Sequence, residues 1–130
     1  MSNLKTSHLL PSLGLAAITL LATGCAPKLS QQECLTNNMY EMGLADGNAG
    51  KSMNVFTKYQ SDCNEYHVQL DQKSFQQGWS EGNRSFCQPT TAFTLGKNGQ
   101  PYPVVCTDYN TTTLRNEYNR GVQVYQRIRL

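Results

Sequence analysis

The chain is poor in the residues on which metal binding and general acid-base catalysis depend. It has two histidines, of which only His67 lies past the N-terminal leader, and it contains no CxxC pair. A zinc centre is not expected, because a closed site needs four Cys or His ligands at short spacing. His67 stands alone in a polar stretch, with no nucleophile or oxyanion motif to make it a general base. No cofactor or metal is expected, and no catalytic residue can be assigned. Charge is also sparse: eleven basic and nine acidic residues give a net +2, and the basic residues are scattered. That excludes the concentrated positive face that nucleic acid requires. Long apolar runs are missing too. The most apolar stretch, Leu9 to Leu21, contains Pro11 near its start, and it falls short of the roughly 20 residues that a bilayer core demands.

What that stretch does form is a leader. Lys5 precedes it, and it ends in Leu21-Ala22-Thr23-Gly24-Cys25, the order of a secretory signal with small residues at the cleavage site. This pattern resembles a lipobox, with Leu21, Ala22 and Gly24 in the permissive positions, so residues 1–24 are expected to be removed and Cys25 to be acylated. Each buried methylene contributes about 0.8 kcal/mol, and several acyl chains together anchor firmly. Ala26 rather than Asp after the cysteine implies, by the lipoprotein sorting rule, the outer membrane of a Gram-negative host, facing the periplasm. Residues 25–32 read as a lipidated tether and 33–130 as a single domain.

The mature chain has room for one small core, and its wealth of Asn, Gln, Thr and Tyr makes that core thin. Reinforcement comes from Cys34, Cys63, Cys87 and Cys106, an even number in a protein bound for an oxidising compartment. Three pairings are open. The preferred one joins Cys34 to Cys63 and Cys87 to Cys106, closing loops that each contribute about 3 kcal/mol.

Helical spacing recurs along the domain. Leu35, Met39, Met42 and Leu44 mark a first helix ending near Gly50; Val55, Phe56, Tyr59 and Cys63 mark a second. Asp71 caps a third through Phe75, Trp79 and Phe86, and Leu114, Tyr118, Val122 and Tyr125 mark a fourth. Between the third and fourth, Pro89, Gly96, Gly99, Pro101 and Pro103 predict one long extended loop, or a small hairpin of Phe93 to Leu95 with Tyr102 to Val105 around Asn98-Gly99. The fold expected is therefore mainly α: a small disulfide-stapled domain of about four helices.

A weak repeat runs through it. Tyr40 to Gly47 matches Phe75 to Gly82 in an aromatic, a glycine three later, an acid and a second glycine, and Tyr118 to Gly121 repeats the first half. Gly43 with Gly47, and Gly78 with Gly82, fall on one helix face each. A mid-helix glycine costs about 0.5–1 kcal/mol against alanine, and close packing of the first and third helices across these faces would offset that. Asp46 and Glu81, the acids of the repeat, are expected to be solvated or capping groups and not a catalytic pair.

The segments Glu33-Cys34-Leu35, Tyr40 to Gly47, Gly78 to Gly82, Phe86-Cys87 and Phe93 to Cys106 resemble a family of small proteobacterial lipoproteins catalogued as domain of unknown function 2799. The chain departs from that pattern at Asn38-Met39 and Pro89-Thr90-Thr91. The resemblance implies a mostly helical envelope domain and implies no activity. The role expected is binding, adaptor or structural, toward another envelope protein or the cell wall, with Phe93, Tyr102 and Tyr109 as a candidate surface or as cover for the thin core. An immunity protein against an envelope-directed toxin is the alternative reading, and a hydrolase the least favoured.

Overall fold

The computed structural model describes residues 27–130; the expected leader, residues 1–24, and Cys25 lie outside the described residues. Six α-helices form among them: α1 Gln31–Thr36, α2 Met39–Asn48, α3 Val55–Asn64, α4 Gln72–Phe86, α5 Pro89–Lys97 and α6 Thr111–Ile128, with a short 3₁₀ turn at Val104–Cys106. No strand occurs among the described residues. The molecule is a mainly helical domain stapled by Cys34–Cys63 and Cys87–Cys106.

Local chemistry sets the helix ends. Ser30 and Glu33 make a capping box at α1. Asn38 Oδ1 accepts from the Tyr40 and Glu41 amides at 3.0 and 3.3 Å, Asp71 from Ser74 at 3.0 Å, and Asn110 from Thr113 at 3.2 Å. The Asn38 cap is why the first stripe is two helices: α1 stops at Asn37, and Leu35 is left exposed.

The segment expected to be an extended loop or hairpin differs most. Residues 89–97 are helical, because Pro89 occupies the first turn, where its missing N–H has no partner to lose. Asn98-Gly99 then closes α5. Gly99 takes φ 67°, its amide donates to Gly96 O at 3.0 Å, and the Gln100 amide donates to Leu95 O at 2.9 Å, a Schellman stop and not a hairpin turn. Only residues 98–110, with the 3₁₀ turn, remain as the connection.

Two helix pairs carry the fold, α2 with α4 and α5 with α6. In the first pair Gly43 faces Phe75 and Trp79 while Gly47 faces Trp79 and Asn83, so the helices run in the same direction. A Cβ at any of these glycines would collide with the backbone of the partner: Gly78 seats the Tyr40 carbonyl, Gly43 that of Phe75, Gly47 that of Trp79, and Gly82 that of Leu44. The second pair repeats this with Gly96 seating Tyr118 O and Gly121 seating Phe93 O.

The two pairs are copies of one unit. Adding 49 to α2 and 39 to α4 brings one glycine rung, the stop of the first helix and the cap of the second onto α5 and α6: Gly47 on Gly96, Gly50 on Gly99, Asp71 on Asn110, Gly82 on Gly121. Gly50, at φ 68°, ends α2 with the same Schellman bonds and lies under the Phe86 ring, as Gly99 lies under Tyr125. Trp79 Nε1 donates to Lys51 O at 2.9 Å, and Tyr118, its counterpart, donates to Gln100 O at 2.7 Å. One disulfide belongs to each unit. The apolar side chains accordingly gather in two clusters: Cys34, Met39, Phe56, Cys63, Leu70 and Phe75 in the first, and Cys87, Ala92, Cys106 and Leu114 in the second. Phe86 links them, packing on the second cluster while its ring covers Gly50.

Gly78→Ala tests the backbone seat. Its methyl would meet carbonyl and amide atoms that cannot rotate away, so a loss of about 3 kcal/mol is expected in urea melts. Alanine at the exposed neighbour Gln77 should change stability by less than about 0.5 kcal/mol.

Candidate functional site

The acids singled out by the repeat do not converge. Asp46, 5% exposed, accepts from Tyr59 Oη at 2.8 Å and from Lys51 Nζ at 2.5 Å. Burial, then the hydrogen bond to Asp46, pushes the Tyr59 phenol well above its ordinary value. This cluster ties α3 and the segment after α2 to the first helix pair. Glu81 lies on α4 and accepts from the Tyr40 hydroxyl, a bond that raises the Tyr40 phenol. Both carboxylates thus have intramolecular partners. Asp62 is similarly engaged: Lys58 at 2.8 Å, then the Leu29 amide at 3.2 Å, hold its carboxyl below the usual carboxylate range. His67 is exposed, in the turn after α3, with φ 57°. No group of three metal-ligating side chains occurs among the described residues.

The three aromatics of the candidate surface are not brought together. Tyr102 packs on the second cluster, edge-on to Tyr118 with ring centroids 5.3 Å apart, and Arg115 lies 4.2 Å over its ring. Its hydroxyl is buried with no partner among the described residues. Tyr109 packs on the same cluster near the Cys87–Cys106 disulfide. These two aromatics cover core. Phe93 differs: it is half-buried on α5 beside a groove of about 330 Å³ lined by Pro89, Thr90, Phe93, Thr94, Glu117 and Arg120. The Arg120 guanidinium lies 5.6 Å over the Phe93 ring, and its Nη1 donates to both Glu117 oxygens at 2.6 and 2.7 Å.

The origin of the groove is legible in the repeat. The first pair has two rungs of glycine, Gly43 with Gly78 and Gly47 with Gly82; at the places of Gly43 and Gly78 the second pair has Ala92 and Glu117. A Cβ at each of these places rules out the backbone-to-backbone seat that the first pair has there. A larger depression of about 600 Å³ runs along Lys73, Gln76, Gln77, Ser80, Glu81 and Arg84, but all six belong to α4, so no second element converges on a bound group. The α5–α6 groove is therefore the place where two elements, an apolar floor and a charged fork meet. Sequence reading missed it by taking residues 89–97 as a loop. The signal available was Gly96-x-x-Gly99, the same spacing as Gly47-x-x-Gly50.

Tyr59→Phe should leave Asp46 with one partner fewer and lower stability by about 1–3 kcal/mol at neutral pH. Because the folded-state phenol ionises above the ordinary value of 10.0, the unfolded chain loses its proton first, and stability falls as pH rises beyond that value. Urea midpoints at pH of about 8 and about 10.5 should show a smaller alkaline decline in the variant than in the parent.

No curated protein and no solved structure matches the chain. A family model does, over residues 38–123, which span α2 through most of α6 and hence both helix pairs. The chain belongs to the family described as protein of unknown function, DUF2799.

Proposed function

We propose that the protein is a lipid-anchored module of the bacterial envelope, tethered through Cys25 to the outer membrane and facing the periplasm, with a binding or adaptor role and no catalytic one. The observation that carries this reading is Leu21-Ala22-Thr23-Gly24-Cys25 placed directly before a domain with two buried disulfides. Disulfides persist in oxidising compartments, and a lipobox-like leader leads to one.

The start of the domain supports a short leash. The Leu29 amide donates to Asp62 and Lys28 pairs with Glu65, so the chain is tied down three residues after Cys25. Three residues span at most about 11 Å. A lipid on Cys25 would hold the α3 end of the first unit close to the bilayer and restrict how the domain turns. An adaptor gains from such restriction, because a held orientation presents the same face to every partner.

Metabolic labelling with a palmitate analogue should mark the parent and not Cys25→Ser, and the variant should leave the membrane fraction. Labelling that survives the substitution would refute the anchor. The binding role is tested by crosslinking in intact cells: one dominant envelope partner or wall fragment is expected, and recovery of abundant neighbours in proportion to their abundance would count against it.

A further inference from the structure

In the first unit Tyr40 reaches across the seam from α2 to α4 and donates its hydroxyl to Glu81. The offsets of 49 and 39 set by the glycine seats align Pro89 with Tyr40 and Arg120 with Glu81. Proline has no side chain that can cross, and Ala92 and Glu117 stand where the first unit has the glycines Gly43 and Gly78. The 330 Å³ groove is what remains. Its floor is the Phe93 ring with Pro89, and its rim is Arg120, held by Glu117 through Nη1 alone. Among the described residues Nε and Nη2 of Arg120 have no acceptor within hydrogen-bond distance, and the side chain is 65% exposed.

We propose that this groove binds an aromatic side chain of a partner protein, lying on Phe93 and Pro89, with an acidic residue beside that aromatic accepting a hydrogen bond from Arg120. In the first unit the corresponding gap between the helices is bridged by one phenol, that of Tyr40. The exchange of Glu81 for Arg120 puts a donor where the first unit has an acceptor, and although Glu117 pairs its Nη1, Nε and Nη2 still face outward for an acceptor, so the group sought here is a carboxylate and not a hydroxyl donor. An arginine fork that already stacks on an aromatic ring suits a carboxylate flanked by a second ring. The inference rests on the binding role proposed above and specifies its partner chemistry. Its failure would leave the membrane anchor, which labelling tests separately, standing.

The test is a titration of the isotope-labelled, disulfide-bonded protein with N-acetyl-Asp-Tyr-amide, followed by backbone amide shifts. A saturable response confined to residues 89–94 and 117–121 is expected, with a dissociation constant of about 1 mM for so small a probe. N-acetyl-Asn-Tyr-amide should bind several-fold more weakly. Arg120→Ala, whose folding is checked by circular dichroism, should lose the preference for Asp over Asn. The double variant Pro89→Tyr with Arg120→Glu restores the phenol and the carboxylate of the first unit at their two positions; with its folding also checked by circular dichroism, it should show no response at the groove. Shifts elsewhere, no saturation, equal binding of the two probes, or binding that survives the double variant would each overturn the proposal. Concentration-dependent shifts at the groove without probe would also overturn it, assigning the surface to a second copy of this chain.

Discussion

Everything in this protein depends on backbone meeting backbone. Each seam brings two helices so close that the carbonyl of one lies against the bare Cα of the other, and the contact is reciprocal. At these glycines no side chain fits between them. Helices held apart by ordinary side chains sit about 8–10 Å from axis to axis; here glycine permits a closer approach, where Cα–H···O contacts and dispersion act over the length of the seam. Both seams join parallel helices, which align their dipoles unfavourably. The close contact has to outweigh that, together with the conformational cost of mid-helix glycine.

A seam built from glycine leaves few large side chains for a core, and this explains the rest of the architecture. The second unit encloses four buried apolar residues besides glycine, two of them the halves of Cys87–Cys106. Such a cluster cannot hold 40 residues by burial alone. A disulfide in each unit limits the unfolded chain where burial is short, and Schellman stops with an aromatic ring over the left-handed glycine finish each first helix. The units differ in how they connect their helices. In the first a full helix, α3, intervenes and brings Tyr59 and Asp62; in the second a single 3₁₀ turn does the same work.

Duplication also explains where chemistry is available and where it is not. In the first unit Asp46, Glu81 and Asp62 each have a partner within the domain, so these acids serve the fold. The second unit retains the frame but exchanges the residues at one end of its seam, Tyr40 for Pro89, Gly78 for Glu117 and Glu81 for Arg120. That exchange converts an internal clasp into an open groove.

The sequence by itself determined the helical character, the even set of cysteines and the glycine faces of α2 and α4. All of these are local: hydropathy, spacing of 3.6 and the cost of glycine are properties of a segment and not of its neighbours. The parallel direction of the seams and the equivalence of α2–α4 with α5–α6 were decided by the tertiary structure, because offsets of 49 and 39 residues conceal a repeat that is plain once the glycine seats are superposed. The helix over 89–97 was also decided there. Pro89, Gly96 and Gly99 are breakers in a segment read alone; against α6 they become a helix start, a seat for the Tyr118 carbonyl and a cap under Tyr125. A residue that costs a lone helix stability can be the one that lets two helices touch.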